Sequence, residues 1–382
     1  MKKKLAIFTG SDIRTFGGGE RYVVELVKRL KNHFDITVYS FTDKNNLRVN
    51  DRKIRRMLNG VALKYYRAII MPKSLDRIPL TLSSLYSYLE LRKFNAVYHM
   101  ESSLTAIAAV LLALKFSKTR LIFGLHNPYL IERLTFLKNK NQTSLKLLYY
   151  WVYKRLLFSV PNIHVLNGYH YKILKQLGYS GNLYFIQNFL YYNKSSIKPM
   201  NTSRFTVLFV GRLSIYHKGL DLLETIINET LKLNKGIEFH IVGSGEDGKN
   251  IIEKLTLAYP KNVIYGGFLS QDRLEKEYDG ASIFILTSRI EAFSLVTLEA
   301  QAHGLPVISF DIPGPNEIIK KIFSGTLIKP FNTTEFSKAV LYYYQLWKVG
   351  KLNKAYKQKI IDYIFDKYSN KKIIPKIREM LE

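Results

Sequence analysis

No cysteine occurs in the 382 residues. Disulfides, thiolate nucleophiles and cysteine-based zinc sites are therefore excluded, and the composition fits a cytoplasmic protein. No apolar run is long enough to cross a bilayer. The longest, Leu104 to Leu114, is about half the required length and is closed by Lys115, so it reads as a buried helix. The N-terminus, MKKKLAIFTG, sets basic residues before an apolar run. That run is short, lacks a small-residue cleavage site and enters a glycine-rich loop, which predicts a first β-strand and not a signal peptide. Acidic residues are scarce, 30 against 58 Lys and Arg, for a formal net charge of +28. The imbalance is uneven: 31 basic against 10 acidic side chains in residues 1–190, and 27 against 20 in residues 191–382. A positive field of this kind draws in nucleic acid, anionic lipid or phosphorylated acceptors. A generally basic protein with solvated lysines would give the same totals.

A chain of this length exceeds the size at which one core stops growing, which predicts two domains. Apolar runs alternate with helical patterns throughout. Lys4–Thr9, Asp35–Ser40, Ala96–His99 and Arg120–Leu125 read as strands, with helices at Glu20–Lys31 and from Ser102. Phe205–Val210, Ile237–Val242, Val263–Tyr265, Ser282–Leu286 and Val307–Phe310 repeat the scheme. This punctuation predicts an α/β fold of two doubly wound halves with parallel sheets and a cleft between them. The boundary is expected at Tyr191–Ser203, a polar stretch without periodicity, giving domains over 1–195 and 200–361. Two segments read either as basic amphipathic helices on a membrane surface or as core-facing helices. One is Arg52–Phe94, with Lys64, Tyr65, Tyr66, Ile69 and Ile70 among its mixed basic and apolar residues; the other is Leu145–Phe158.

The segment Ser288–Ile308, SRIEAFSLVTLEAQAHGLPVI, carries the strongest chemical signal. A strand, a polar turn and a helix N-terminus are how an α/β protein presents a phosphate site. Ser294 is expected to cap a helix over Leu295–His303 with Gly304 at its end. The N–H groups of Phe293, Ser294, Leu295 and Val296 would then face a phosphate. Glu299 could reach ribose hydroxyls beside it, and Glu291, earlier on the loop, a hexose. Each glutamate could equally be a cap or a surface charge. After the strand Phe205–Val210 come Gly211, Arg212 and Lys218; an arginine fork and a lysine point charge there can converge on one diphosphate. Gly243 and Gly245 follow the next strand, either as ordinary turn glycines or to admit a base or phosphate. Gly17, Gly18 and Gly19 after the first strand form a flexible turn or a binding loop; they do not spell the dinucleotide fingerprint.

Together GGGE, GRLSIYHKGLD, IVGSG and the Glu291-x7-Glu299 pair followed by EAQAHGLPVI resemble the retaining family 4 glycosyltransferases of the GT-B fold. The resemblance implies that Arg212 and Lys218 hold the donor diphosphate and stabilise the departing nucleotide. It implies that Glu299 binds ribose, that Glu291 contacts the transferred sugar, and that Gly18 lines the phosphate and acceptor side. His126, in FGLHNP, stands where the family has a histidine close to that sugar; alternatively it is a satisfied histidine at a strand end. The family usually has glycine where Ser294 stands, and the Arg212–Lys218 loop is one residue longer than the commonest version. In the GT-B fold the last helix crosses back to the first domain, here expected at about 362–382.

No D-x-D occurs, and enzymes that hold nucleotide-sugars through a divalent ion need such carboxylate pairs. With the activity that the resemblance implies, transfer of a hexose-type sugar from a nucleotide-diphospho-sugar, this predicts a metal-independent reaction with no cofactor. The acceptor would be a glycan or a lipid-linked sugar, met by a cytoplasmic protein lying peripherally at an anionic membrane. The alternatives are a basic nucleic-acid-binding protein, which leaves the ordered motifs unexplained, a GT-B epimerase or phosphorylase, and a catalytically silent partner subunit.

Overall fold

The computed structural model describes residues 1–42, 47, 49–67, 82–100, 103–127, 144–191 and 204–382. Of the expected boundary only Tyr191 is among them; Ile69, Ile70 and Ser102 also lie outside the described residues. The chain divides into two compact units, Met1–Asn188 with Lys371–Glu382, and Phe189–Asn370.

The first unit is a seven-stranded sheet in the order β3-β2-β1-β4-β5-β6-β7. Its strands are β1 (Lys3–Phe8), β2 (Phe34–Phe41), β3 (Ala62–Tyr66), β4 (Ala96–His99), β5 (Arg120–Leu125), β6 (Asn162–Val165) and β7 (Asn182–Phe185). All neighbours pair in parallel. Helices between successive strands cover the sheet, so its central strands read as continuous apolar runs. The strand order reverses between β1 and β4, and the glycine loop leaves the carboxyl end of β1 at that switch point.

The second unit has six parallel strands in the order β10-β9-β8-β11-β12-β13. They are β8 (Phe205–Val210), β9 (Ile237–Val242), β10 (Val263–Gly267), β11 (Ile283–Leu286), β12 (Val307–Phe310) and β13 (Gly325–Ile328). Here the order reverses between β8 and β11, whose following loops carry Arg212, Lys218 and Glu291.

Three local expectations change. Residues Lys64, Tyr65 and Tyr66 are not helical. The Asn50 side chain caps the helix Asp51–Leu58, which ends at left-handed Asn59, and the chain then enters β3 with Tyr66 in the core. Along that helix Ile54 and Leu58 face inward while Arg52, Lys53, Arg55 and Arg56 are exposed. In the helix Ser144–Phe158, Tyr153 and Leu157 join the core, while Leu148 and Trp151 are exposed. The C-terminal segment joins the first unit only from Lys371, later than 362. The helix Lys354–Tyr368 stays with the second unit because Ile360, Ile361 and Ile364 are buried there and Gly304 sits against the backbone of Lys357. The helix Asn370–Leu381 buries Ile373, Ile377, Met380 and Leu381, and Arg120 donates to the Met380 carbonyl at 3.0 Å.

Candidate functional site

In the second unit the site is built where the loops after β8 and β11 meet. The loop after β8 turns into a short helix, Ile215–Lys218, capped by Ser214 and ended by left-handed Gly219. A Cβ on Gly219 would fall 2.2 Å from the Thr287 carbonyl, so the two loops touch through backbone there. Thr287 Oγ1 donates to the Lys218 carbonyl at 2.7 Å. The Arg289 N–H donates to the His217 carbonyl, and the Arg289 guanidinium grips both Asp221 oxygens, at 2.8 and 2.5 Å, and the Ile215 carbonyl. This clamp sets the Lys218 ammonium 2.5 Å from Glu291 Oε1, which also accepts from Ser288 Oγ at 2.8 Å. Arg212 stands beside them, exposed, and its guanidinium has no partner among the described residues.

The helix after β11 covers Leu295–Ala302, one residue shorter than expected. Ser294 holds the N-cap position but is left-handed, φ 78°, and makes no cap to the backbone; its hydroxyl pairs with that of Thr297 at 2.9 Å. A non-glycine residue is disfavoured in this conformation, which accounts physically for a position better suited to glycine. No described group accepts from the N–H groups of Phe293, Ser294, Leu295 or Val296. Those donors and the helix dipole form an electropositive end. At the other end Gly304 and Leu305 donate to the Gln301 and Ala300 carbonyls, closing the helix as a Schellman turn.

Glu299 is neither a cap nor a surface charge. It lies in the second turn, 4% exposed, and Oε2 accepts from the Tyr278 hydroxyl at 3.1 Å. Tyr278 stacks on His303, which is paired with Asp279 at 2.7 Å. Sequence reasoning missed Tyr278, Ser288, Arg289 and Asp221. Arg289 could have been found as a cation two residues before Glu291; Tyr278 leaves no sequence signal.

Two of the glycines are fixed by close backbone contact. Gly243 (φ +143°) and Gly245 are required by the protein's own backbone. A Cβ on Gly243 would lie 1.7 Å from the Gly211 carbonyl, and one on Gly245 would lie 2.5 Å from the Leu213 carbonyl. Gly243→Ala is expected to destabilise the second unit by about 2 kcal/mol or more, read as a fall in its urea midpoint. An unchanged midpoint would contradict the close approach. A Cβ on Gly211 would lie 3.6 Å from the Lys218 stem and from the Phe209 ring, an ordinary contact with each.

In the first unit Gly18 opens the helix Gly18–Leu30 behind the N-cap Gly17. Glu20 is buried in its first turn and accepts from Ser11 Oγ, and a Cβ on Gly17 would lie 2.9 Å from its Oε2. His126 follows β5 and is half-buried. Its Nε2 lies 2.9 Å from the Tyr98 hydroxyl and 3.3 Å from His164 Nδ1, and its ring meets Tyr22 edge-on at 5.1 Å. Burial, with the neighbouring His164, holds His126 well below the usual histidine range, so the ring is neutral at pH 7.

Two family models match consecutive parts of the chain: Glycosyltransferase Family 4 over residues 16–190 and Glycosyl transferases group 1 over 193–377. The amylovoran biosynthesis glycosyltransferase AmsD of Erwinia amylovora is 26% identical over 328 residues, 84% of each chain. An uncharacterized glycosyltransferase of Methanocaldococcus jannaschii is 36% identical over 128 residues, 33% of this chain and 32% of that one. The chain spans about a third of the length of the first curated relatives it matches. Among solved structures, Anabaena HepE in complex with UDP and glucose superposes with a TM-score of 0.75 at 16% identity over 99% of both chains. With two Rossmann-like parallel sheets and both halves matched, this chain belongs to the group 1, family 4 glycosyltransferases of the GT-B fold.

Proposed function

We propose that the protein moves a hexose-type sugar from a nucleotide-diphospho-sugar to a glycan or lipid-linked acceptor, with retention of configuration and without a divalent ion. The observation that carries this reading is the cluster at the second switch point. Lys218 is held against Glu291 beside an exposed Arg212, next to helix N–H groups that meet no described acceptor. Arg212 would grip the diphosphate in a fork and Lys218 would add a point charge, so that negative charge growing on the departing nucleotide is met as it develops. The leaving phosphate would take the acceptor proton on the face it departs from. Glu299 would bind the ribose, and Glu291 and His126 the transferred sugar. Metal independence rests on the missing D-x-D and on these cations. Acting without a cofactor is part of the same proposal, the nucleotide-sugar being a co-substrate.

HepE has been determined with UDP-glucose, and the Staphylococcus aureus protein TarM with UDP, so uridine donors head the test. In a thermal-shift panel of nucleoside diphosphates and their sugars, at least one UDP or GDP ligand is expected to raise the melting temperature with EDTA present. Transfer of label to an acceptor then separates this reading from an epimerase, a phosphorylase or a nucleic-acid binder. Absence of any shift across the panel would defeat it.

A peripheral membrane location at the cytoplasmic face is part of the proposal, and a specific surface favours it. No described helix is long and apolar enough to cross a membrane. However, Leu112 and Phe116 at the end of the helix Leu104–Leu114, and Leu148 and Trp151 on the neighbouring helix Ser144–Phe158, are all more than half exposed. Lys115, Lys118 and Arg155 accompany them. Apolar and aromatic side chains among cations suit the headgroup boundary of an anionic bilayer. Vesicles containing phosphatidylglycerol are expected to sediment the protein at low salt, and the pair Leu148→Ser with Trp151→Ser to weaken this. Equal recovery with neutral vesicles, or none at all, would remove the membrane part.

A further inference from the structure

A buried hydrogen-bond chain behind His126 is used by nothing described so far. His164 Nε2 lies 2.7 Å from the Ile186 carbonyl, which can only accept, so Nε2 carries the proton. Burial pushes His164 down to about 4, so at pH 7 it is neutral and its Nδ1 is a bare acceptor. The Tyr98 oxygen lies 2.7 Å from that Nδ1, and at this separation the tyrosine must donate its only proton there. The Tyr98 oxygen is left with lone pairs toward His126 Nε2 at 2.9 Å, so this nitrogen must be the donor. His126 Nδ1 is then the unprotonated nitrogen, and it has no partner among the described residues and is not enclosed.

The site for the chain is built into the sheet. Tyr98 and His164 are fully buried on β4 and β6, either side of β5. Between them stands Gly124, where a Cβ would press on the Tyr98 hydroxyl at 3.0 Å. The titratable groups facing His126 among the described residues are Tyr22 from the helix Gly18–Leu30, Tyr98 from β4 and His164 from β6. None is a carboxylate.

We infer that Tyr98 and His164 are positioning residues that hold His126 as the neutral Nε2–H tautomer, so that Nδ1 is presented as an obligate acceptor for a hydroxyl of the bound sugar. The inference rests on the proposed reading of His126 as sugar-facing. It adds a selection rule: the partner of His126 must offer an O–H or N–H, and a deoxy or O-methyl sugar at that position would be disfavoured, because Nδ1, once covered by the sugar, would be left without a donor.

Nitrogen-15 spectra of the histidine-labelled full chain test the tautomer without any substrate, with His126 assigned by His126→Gln. A neutral Nε2–H pattern for His126 at pH 7.5 and at pH 5.5 is expected, and an average of the two tautomers in Tyr98→Phe. In the transfer assay Tyr98→Phe is expected to lower kcat about fivefold, the worth of one neutral hydrogen bond, with unchanged affinity for the donor nucleotide. An Nδ1–H pattern or an imidazolium at pH 5.5 would overturn the inference. Wild-type kcat in a Tyr98→Phe protein would overturn the positioning role. A wild-type protein that shows the expected tautomer but transfers no sugar instead defeats the proposed function.

Discussion

Lys218→Ala is expected to lower kcat by roughly 100- to 1,000-fold, with a far smaller change in affinity for the nucleoside diphosphate. Two effects add. The charge that meets the developing phosphate is gone, and Glu291, whose side chain is only 12% exposed, loses the ammonium 2.5 Å from it. An uncompensated carboxylate would then repel the incoming diphosphate. The double variant Lys218→Ala with Glu291→Gln separates the two. If repulsion dominates, the second change recovers much of the loss; if charge stabilisation dominates, it recovers little. Arg212→Ala should fall in the same range but without such coupling, since its guanidinium pairs with no described carboxylate. Near-normal turnover in both single variants would sink the assigned roles.

Acidification from pH 7 to pH 5 is expected to destabilise the first unit by several kcal/mol. Burial holds His164 and His170 down at about 4 in the folded chain. An unfolded histidine titrates near 6.5. Between those values the unfolded chain binds protons that the folded chain refuses, so stability falls as pH falls through this window. The cost reaches about 2 kcal/mol per histidine by pH 5, about 4 kcal/mol for the pair. Carboxylates held below their usual range against the effect of burial, Glu25 by Lys28 and Arg29 and Asp51 by the Tyr65 hydroxyl and Arg55, contribute only at lower pH. Urea midpoints followed by the fluorescence of Trp151 should therefore drop between pH 7 and pH 5, and His170→Leu should flatten the slope. A midpoint flat across this window would refute the buried neutral state.

Much of the fold was legible in the residues. Ala96–His99 and Phe205–Val210 have the expected limits because they are largely apolar and buried along their whole length, and Ile237–Val242 because its apolar residues alternate with the half-buried Glu238 and His240 before a fully buried end. The strands that escaped notice, β3, β6, β7 and β13, are four or five residues long. In β6, Asn162 and His164 break the apolar pattern, yet both are satisfied inside: Asn162 donates to the Leu121 carbonyl and His164 to that of Ile186. Those partners lie 41 and 22 residues away, so a local window reads the segment as a loop.

By itself the sequence determined the class of the fold, the family and the order of the motifs, because apolar period, glycine placement and residue spacing are local properties. Only the tertiary structure decided what the motif residues do to one another. It paired Lys218 with Glu291 across 73 residues, buried Glu299 under Tyr278, and made Arg289 and Asp221 a clamp across 68 residues. It also set Gly243 against the backbone of Gly211, and linked His126 through Tyr98 to His164. Hydrogen-bond partners, burial and left-handed backbone arise where distant segments meet, and no stretch of sequence carries that meeting in its own pattern.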